Sequence, residues 1–275
     1  MKEEVSRIVS RLAAIRDSRD SLLTSPAYEC EKCKDTGYVE WTDENGLLMS
    51  RRCDCGLIDR QIQSRRMRFA AIPEKYREIK LTDFKMPYRK AEARQNAAKA
   101  LAVVKEYLTN FEEYQSKNKG LYFYSGIRGS GKTMLMCGVC NFLMEHGHTA
   151  KFATSGQIIN EIKSTWDRGS ETTTSQLLEH LSTTEILAID DFGAERASEW
   201  VDSVFYDIIN QRYINGKVTL FTSNSPISGT AYDERIKNRV AVMTYEVQFP
   251  EESIRGYMAE ADNKSMIEKI LGGQG

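Results

Sequence analysis

The sequence has 275 residues, enough for one large domain or two modest ones. Hydrophobic residues make up 41% and charged residues 28%, a composition typical of folded globular proteins. The formal net charge of −1 argues against a globally basic nucleic-acid binder, so any such binding must be local. The sequence contains no run of 18 apolar residues, so it predicts no membrane span. The charged N-terminus lacks the apolar core of a signal peptide. We therefore expect a cytoplasmic protein whose six cysteines are not paired in disulfides.

The first predicted element is an amphipathic helix that ends at Ser25 and Pro26. Five apolar residues recur there at helical spacing: Val5, Ile8, Val9, Leu12 and Ile15. This apolar face is equally suited to packing on its own domain and to docking on a partner.

Four cysteines follow in two pairs, Cys30 with Cys33 and Cys53 with Cys55. The stretch between the pairs alternates in polarity and contains Asn45-Gly46, so it predicts a β-hairpin that brings the pairs together. Four thiolates can close a tetrahedral structural zinc site. The alternatives are free or redox-active thiols, and disulfides.

Residues 56–71 predict a basic helix, either a solvated linker or a surface for an acidic partner or phosphates. Ile72-Pro73 ends this helix, and we place a domain boundary here, between residues 1–71 and residues 72–275. After a turn-rich stretch, residues 91–111 predict a long helix with one apolar face.

Residues 126–133 read GIRGSGKT and match the phosphate-binding pattern G-x-x-x-x-G-K-[ST]. An apolar strand, residues 121–125, precedes the loop and an apolar helix, residues 134–144, follows it. In that arrangement backbone N–H groups turn toward phosphate oxygens and the helix N-terminus adds positive potential. We assign the whole loop to the nucleotide: Gly126, Ile127, Arg128, Gly129, Ser130, Gly131, Lys132 and Thr133.

Within this loop, we expect Lys132 to reach the β- and γ-phosphates of ATP, and the hydroxyl of Thr133 to bind Mg²⁺. The alternative is a glycine-rich turn that matches the pattern by chance.

Cys137 and Cys140 repeat the C-x2-C spacing inside the following helix, where we interpret them as buried apolar residues.

Strands and helices alternate over the rest of the chain. Further strands are predicted at residues 149–154, 186–190, 218–223 and 242–247, with amphipathic helices around 158–166, 177–181 and 201–209. Together with the strand before the phosphate loop, they predict an α/β fold with a five-stranded parallel sheet between helices.

Asp190 and Asp191 end a buried strand, where open α/β sheets bind their ligands. We expect Asp190 to hold Mg²⁺ and Asp191 to orient the attacking water. Capping of the next helix is the alternative for either residue. Asn224 ends another strand and could hold the same water or the γ-phosphate, or be only a polar turn residue.

The motifs GIRGSGKT, ILAIDDFG and TLFTSN, in this order and spacing, resemble those of AAA+ helicase-loader ATPases of the DnaC/DnaI type. PEKYREIKLTDF before them and ERIKNRV after them are also similar, so the resemblance covers roughly residues 72–258. It implies a P-loop AAA+ core preceded by a small helical N-terminal domain that grips the replicative helicase, and the cysteine spacing adds zinc binding to that domain.

The resemblance also implies roles for three residues. Asn224 looks like the sensor-1 residue, Arg239 like the arginine finger that reaches a neighbour's ATP, and Arg255 like the sensor-2 arginine. Arg235 is the nearest rival for the finger role. From residue chemistry alone, both assigned arginines would be read as surface charge.

The expected function is that of an ATP-hydrolysing DNA replication protein that self-associates through its ATPase domain. It would load a replicative hexameric helicase onto single-stranded DNA. The main alternative is a transposase-helper ATPase of the IstB type, which usually lacks a cysteine cluster. A small-molecule kinase would need an arginine-bearing lid, which we do not find, and the intact ATP motifs argue against a non-enzymatic zinc adaptor.

The resemblance implies that residues 158–169 lie near single-stranded DNA, because family members carry an added helix near this region that faces the DNA. Lys163 and Arg168 flank Trp166 and could meet phosphates while the indole stacks on a base. The alternative is that Trp166 belongs to the core, because its spacing continues the Ile158–Ile162 stripe.

Overall fold

The protein is described by a computed structural model that covers residues 28–84, 87–166, 173–195 and 198–272. The predicted N-terminal helix lies outside these residues. The chain divides into two units between Ile62 and Gln63. This division falls inside helix α1, Leu57–Ala70, ahead of the boundary expected after residue 71.

The first unit is built around an antiparallel hairpin. Strand β1, Tyr38–Thr42, pairs with β2, Leu48–Arg52, so that Trp41 stands opposite Met49. In the turn, Asp43 Oδ1 accepts the N–H groups of Asn45 at 2.9 Å and Leu47 at 2.8 Å. Gly46 has φ +80°, a left-handed conformation that glycine adopts without steric cost. The predicted hairpin and its Asn45-Gly46 turn are confirmed.

The second unit alternates helices and strands after 3-10 turns at Glu74–Tyr76 and Leu81–Asp83. Its helices are α2 (Ala91–Thr109), α3 (Phe111–Ser116), α4 (Lys132–Glu145), α5 (Ser155–Ser164), α6 (Thr174–Thr183), α7 (Glu199–Ile214), α8 (Glu234–Met243) and α9 (Arg255–Gly272). Its strands are β3 (Gly120–Tyr124), β4 (Ala150–Thr154), β5 (Ile186–Asp190), β6 (Val218–Ser223) and β7 (Thr244–Gln248).

Several predicted elements differ in extent from the structure, and in two cases the structure gives the reason. The helix expected over residues 91–111 ends at Thr109, because Asn110 has φ −116° and ψ +33°, outside the helical region. The strand expected from Val242 begins at Thr244 instead. Val242 belongs to α8, whose buried residues recur at helical spacing as Ile236, Val240 and Met243.

All five strands of the second unit are parallel, in the order β4-β5-β6-β3-β7. The predicted five-stranded parallel sheet is therefore confirmed. Strand β6 lies between β3 and β5, so three strands end side by side at the carboxyl edge of the sheet. Ligands bind outside this edge in open α/β sheets, and the phosphate loop, the two aspartates and Asn224 all follow strands that end there.

Alternate residues of each strand enter different cores. Leu121 and Phe123 of β3 pack with residues of α2 and α4, whereas Tyr122 packs on the other face with residues of α5 to α8. The sheet is therefore the middle of three layers, buried on both faces. Cys137 and Cys140 are fully buried in the first core, as predicted, and burial raises the pKa of the Cys140 thiol to about 12.

Arg212 of α7 is a fully buried cation. Its Nη1 donates to the carbonyl oxygens of Leu181 at 2.7 Å and Thr184 at 2.8 Å, near the C-terminus of α6. Its Nε donates to the hydroxyl of Thr219 in β6 at 2.9 Å. Burial lowers the pKa of Arg212 to about 9. The side chain satisfies carbonyls that a helix end leaves without partners, and it ties α6 and β6 to α7.

Across the part of the chain described here, no helix combines the length and apolar character that a membrane crossing requires.

Candidate functional site

The phosphate loop leaves β3 and enters α4, as the sequence predicts. Gly129 and Gly131 have φ values of +82° and +100°. A Cβ atom at Gly129 would lie 2.8 Å from Ser253 Oγ, and one at Gly131 would lie 3.2 Å from the ring of Phe84. Both the backbone conformation and the close neighbours therefore require glycine at these two positions.

Lys132 is buried beneath the loop, with only 6% of its surface exposed. Its Nζ donates to the carbonyl oxygens of Ser125 and Ile127 and to Asn224 Oδ1, each at 3.2 Å. Burial lowers the pKa of Lys132, and the neighbouring carboxylates, led by Asp191, act in the opposite direction. The ammonium group is thus held in the loop by groups that a phosphate could replace.

Asp190 lies at the end of β5 and is 5% exposed. Its Oδ1 accepts two hydrogen bonds, from Thr133 Oγ1 at 2.9 Å and from Thr222 Oγ1 at 2.5 Å. Burial raises the pKa of this carboxyl group and the charge of Asp191 adds to that shift, while the two hydroxyl donors oppose it. A hydroxyl and a carboxylate in contact are oxygen ligands of the type that Mg²⁺ prefers.

Asp191 follows with an exposed side chain and a left-handed backbone, φ +54°. Its N–H donates to Thr222 Oγ1 at 3.0 Å, and its carbonyl oxygen accepts from Ser155 Oγ at 2.8 Å. A non-glycine residue in this conformation costs on the order of 1–3 kcal/mol, and such strain clusters at functional sites. The alternative that an aspartate caps the next helix is wrong, because Ser198 caps α7.

Arg255 borders the phosphate loop. It begins α9, and the preceding N–H of Ile254 donates to the carbonyl oxygen of Gly129 at 3.0 Å. A Cβ atom at Gly129 would lie 3.0 Å from Arg255 Cδ, so the arginine stem lies directly on the loop. The structure thus brings together Lys132, Thr133, Asp190, Asn224 and Arg255 from distant parts of the chain.

Arg239 occupies a different surface. Its Nε donates to Asn210 Oδ1 at 2.8 Å and its Nη2 to the Tyr206 hydroxyl at 3.2 Å. Its guanidinium also lies 4.8 Å from the centre of the Tyr206 ring. Arg235, the rival, pairs with Asp233 at 3.0 Å. Within the described residues, the side-chain hydrogen bonds of Arg239 go to α7 and to the backbone of α8, away from the phosphate loop.

Sequence reasoning missed three residues of the site. The Tyr88 hydroxyl donates to the carbonyl oxygen of Ser130 at 2.6 Å, and Glu251 Oε1 accepts the N–H of Gly126 at 3.0 Å. Thr222 contacts both aspartates. Only Thr222 had a usable signal, a polar residue within an apolar strand two positions before Asn224.

The four N-terminal cysteines converge as predicted. Their sulfur atoms all lie within 4.8 Å of one another, and the pairs Cys30–Cys53 and Cys33–Cys55 are each separated by 3.7 Å. A tetrahedral ion with Zn–S bonds of about 2.3 Å spaces its sulfurs by about 3.8 Å, far beyond a disulfide bond of about 2.05 Å. The donors and their spacing therefore fit a closed zinc site.

Trp166 lies after the end of α5 and is 60% exposed, so the alternative that it belongs to the core is wrong. Its ring centre lies 5.3 Å from that of Trp200, edge to face. Lys163 Nζ lies 5.4 Å from the Trp200 ring. Arg168 lies outside the described residues. An exposed Trp166 and a half-buried Trp200 therefore lie beside a cation on this surface.

Comparison with known proteins gives a family match across most of the second unit. Residues 41–237 match the family described as IstB-like ATP binding protein. The phage-like element PBSX protein XkdC of Bacillus subtilis (strain 168) is 26% identical over 257 residues, which is 88% of this chain and 91% of that protein.

The replicative helicase loader DnaC of Buchnera aphidicola subsp. Schizaphis graminum is 24% identical over 233 residues, covering 81% of this chain and 89% of that protein. Among solved structures, the DnaC helicase loader superposes with a TM-score of 0.52 at 23% identity. That match covers 64% of this chain and 99% of the other, and at this identity it supports a shared fold and nothing further.

Proposed function

Because this chain belongs to the IstB-like ATP-binding family and has a P-loop AAA+ fold, we propose that it is an ATPase that loads a replicative helicase onto single-stranded DNA. The observation that carries the proposal is the cluster at the carboxyl edge of the sheet. There Lys132 donates to Asn224, and Thr133 donates to Asp190.

Each member of this cluster has a chemical task in ATP hydrolysis. Lys132 neutralises charge on the β- and γ-phosphates, while Thr133 and Asp190 hold Mg²⁺. Asp191 is exposed beside them and orients the attacking water. Asn224 accepts from Lys132, so a γ-phosphate bound by Lys132 would lie within reach of the Asn224 amide, which could then bind the phosphate or the water.

We also propose self-association through the ATPase domain, and the position of Arg239 supports it. A finger arginine stabilises charge that develops on the transferred phosphate. Arg239 contacts Asn210 and Tyr206 of α7 and not its own phosphate loop, which supports the proposal that it acts on the ATP of a neighbouring subunit. Arg255 lies against the loop of its own chain and acts there.

The N-terminal unit is assigned to the partner, and zinc to its four cysteines. Relatives named as replicative helicase loaders support a hexameric helicase as that partner. Trp166, with Trp200 and Lys163 beside it, is assigned to single-stranded DNA, since exposed aromatic rings stack on bases and cations meet phosphates. We propose the cytoplasm as the place where the protein acts.

The second candidate function is that of a transposase-helper ATPase, which the family match itself favours. The cysteine cluster favours the loader, because transposase helpers of the IstB type usually lack one.

A capture experiment separates the two functions. The full chain is immobilised and incubated with lysate of its host, with and without ATP, and Lys132→Ala protein serves as the control. We expect nucleotide-dependent capture of the hexameric helicase by the parent protein only. Capture of a transposase instead would establish the second candidate, and capture of neither would remove the loader assignment.

A further inference from the structure

We propose that Thr222 is a positioning residue that fixes both aspartates of the site through a single hydroxyl group. The inference rests on the proposed ATP hydrolysis and adds a residue to it. Thr222 belongs to β6, the strand between the phosphate-loop strand and the aspartate strand, and its side chain is fully buried.

The hydroxyl uses both of its hydrogen-bonding capacities. It donates a hydrogen bond to Asp190 Oδ1 at 2.5 Å, and its oxygen accepts a hydrogen bond from the N–H of Asp191 at 3.0 Å. A hydroxyl has one donor and two acceptor positions, so both bonds form at once. The carbonyl oxygen of Thr222 accepts the N–H of Phe192 at 2.8 Å. One residue of β6 therefore holds three consecutive residues of the neighbouring chain segment.

The place where these bonds occur explains why a hydroxyl is needed. The regular pairing of β5 with β6 ends at Ile189 opposite Phe221. Beyond it the chain turns, and Asp191 adopts its left-handed conformation. A strained backbone persists only where its surroundings determine it, and the Thr222 side chain supplies the acceptor for the Asp191 N–H.

The same hydroxyl orients the carboxylate that is assigned to Mg²⁺. Oδ1 of Asp190 takes the bonds from Thr222 and Thr133, and within the described chain no side chain or backbone donor reaches Oδ2. The carboxylate is thus fixed from strand β6 and from the start of helix α4, and Oδ2 keeps its lone pairs for the shell of a metal ion. Changing such a second-sphere partner typically costs about 10- to 100-fold in metal affinity or activity.

The chain offers a matched control on the same strand. Thr219 is also fully buried, and its hydroxyl accepts from Arg212 Nε at 2.9 Å, three residues before Thr222 and away from the aspartates. Thr222→Val and Thr219→Val each replace a buried hydroxyl by a methyl group of nearly equal volume. Thr222→Ser keeps the hydroxyl and tests rescue.

The experiment measures ATP affinity with and without Mg²⁺, the Mg²⁺ concentration for half-maximal turnover, and the melting temperature, for the parent and the three variants. We expect Thr222→Val to bind ATP without Mg²⁺ as the parent does. Its gain in ATP affinity on adding Mg²⁺ should shrink about tenfold, and its turnover should fall by about 10- to 100-fold. Thr222→Ser should restore most of both.

Thr219→Val should have a lower melting temperature than the parent, but Mg²⁺ should raise its ATP affinity and turnover as it does in the parent. The inference is overturned if Thr222→Val changes only the melting temperature, as Thr219→Val does, or if Thr222→Ser is as defective as Thr222→Val. A parent protein without ATP turnover would remove the proposed function instead. The Mg²⁺ effect on ATP binding would still decide the role of Thr222 in that case.

Discussion

At the scale of single residues, the site depends on side chains whose positions are fixed by neighbours from the loop and from other elements. Lys132 is aimed by two loop carbonyls and by Asn224, and Asp190 by two threonines. Asp191 differs, because its backbone is held while its carboxylate is exposed. Preorganised groups of this kind stabilise a transition state without a reorganisation cost during the reaction.

This difference gives the first prediction. Asp191→Asn should bind ATP like the parent protein and lose turnover by about 10²-fold or more, because a neutral amide replaces the carboxylate that orients the attacking water. Asparagine tolerates the left-handed backbone, so the fold should be unchanged. Binding of a fluorescent ATP analogue measures nucleotide affinity, and release of inorganic phosphate measures turnover.

Lys132→Ala is the comparison for that experiment. It removes the charge that pairs with the phosphates, so it should lose nucleotide binding itself. Turnover by Asp191→Asn at the parental rate would show that another group orients the water.

Sequence reasoning identified the residues of the phosphate loop and the aspartate pair because each lies in a short motif with local spacing. It could not find Glu251, which contacts Gly126 from 125 residues away. It also missed the Tyr88 contact to Ser130, 42 residues along. Nothing local distinguishes a buried tyrosine that packs from one whose hydroxyl holds a loop.

At the scale of elements, the hairpin of the first unit has no apolar core of its own. In the described part of that unit, the buried apolar side chains are Cys33 and Cys53, while Trp41 and Leu48 are 43% and 67% exposed. The cysteines therefore have to supply the stability that burial does not. Structural zinc contributes on the order of 10 kcal/mol of folding free energy in small domains.

Removal of the metal should consequently unfold the hairpin and leave the ATPase unit folded. The measurement is zinc content together with limited proteolysis of the full chain before and after a strong chelator. Cys33→Ser should lose zinc, whereas Cys137→Ser, in the core of the second unit, should retain it. Protein purified under reducing conditions without bound zinc would contradict this prediction.

The same scale shows why element boundaries were harder to predict than element types. Strands β5 and β6 were predicted with their observed ends because turn residues or charges flank short runs rich in apolar residues. At β7 the apolar run was misleading, since Val240 and Val242 belong to a helix that passes directly into the strand. Without a turn between the two elements, alternation and helical spacing overlap.

At the scale of the whole molecule, the proposed mechanism needs more than one copy of the chain. Arg239→Ala protein should lose about 10³-fold in turnover yet bind ATP. Mixed with Lys132→Ala protein, it should recover part of the activity, because some interfaces then combine an intact finger with an intact loop. Turnover is measured against mixing ratio, under conditions where the subunits exchange.

Arg235→Ala is the matched control for this mixing experiment, since Arg235 lies one turn away on α8 and contacts the same Tyr206 ring. It should keep most of the turnover. Absence of recovery in a demonstrably oligomeric mixture would remove the finger assignment.

Binding of single-stranded DNA is the second prediction at this scale. Affinity should fall as salt rises, because phosphate contacts release counterions. Trp166→Ala should weaken binding by about 1–3 kcal/mol, the value of one base stacked on an aromatic ring. Fluorescence anisotropy at two salt concentrations measures both, with Tyr213→Ala, an exposed aromatic residue on α7, as the control. Equal loss in the two variants would place the DNA elsewhere.

The position of β3 in the sheet has a consequence for how the protein is made. Its two neighbours are β6 and β7, and its loop is closed by Glu251 and Ile254, all of which are synthesised much later. At about 5–20 residues per second, the ribosome needs several seconds more to reach them. During that interval the nascent chain carries the complete GIRGSGKT sequence but lacks the partners that shape it. Nucleotide should therefore be a late ligand of the growing chain, and it should stabilise the finished fold rather than guide its assembly.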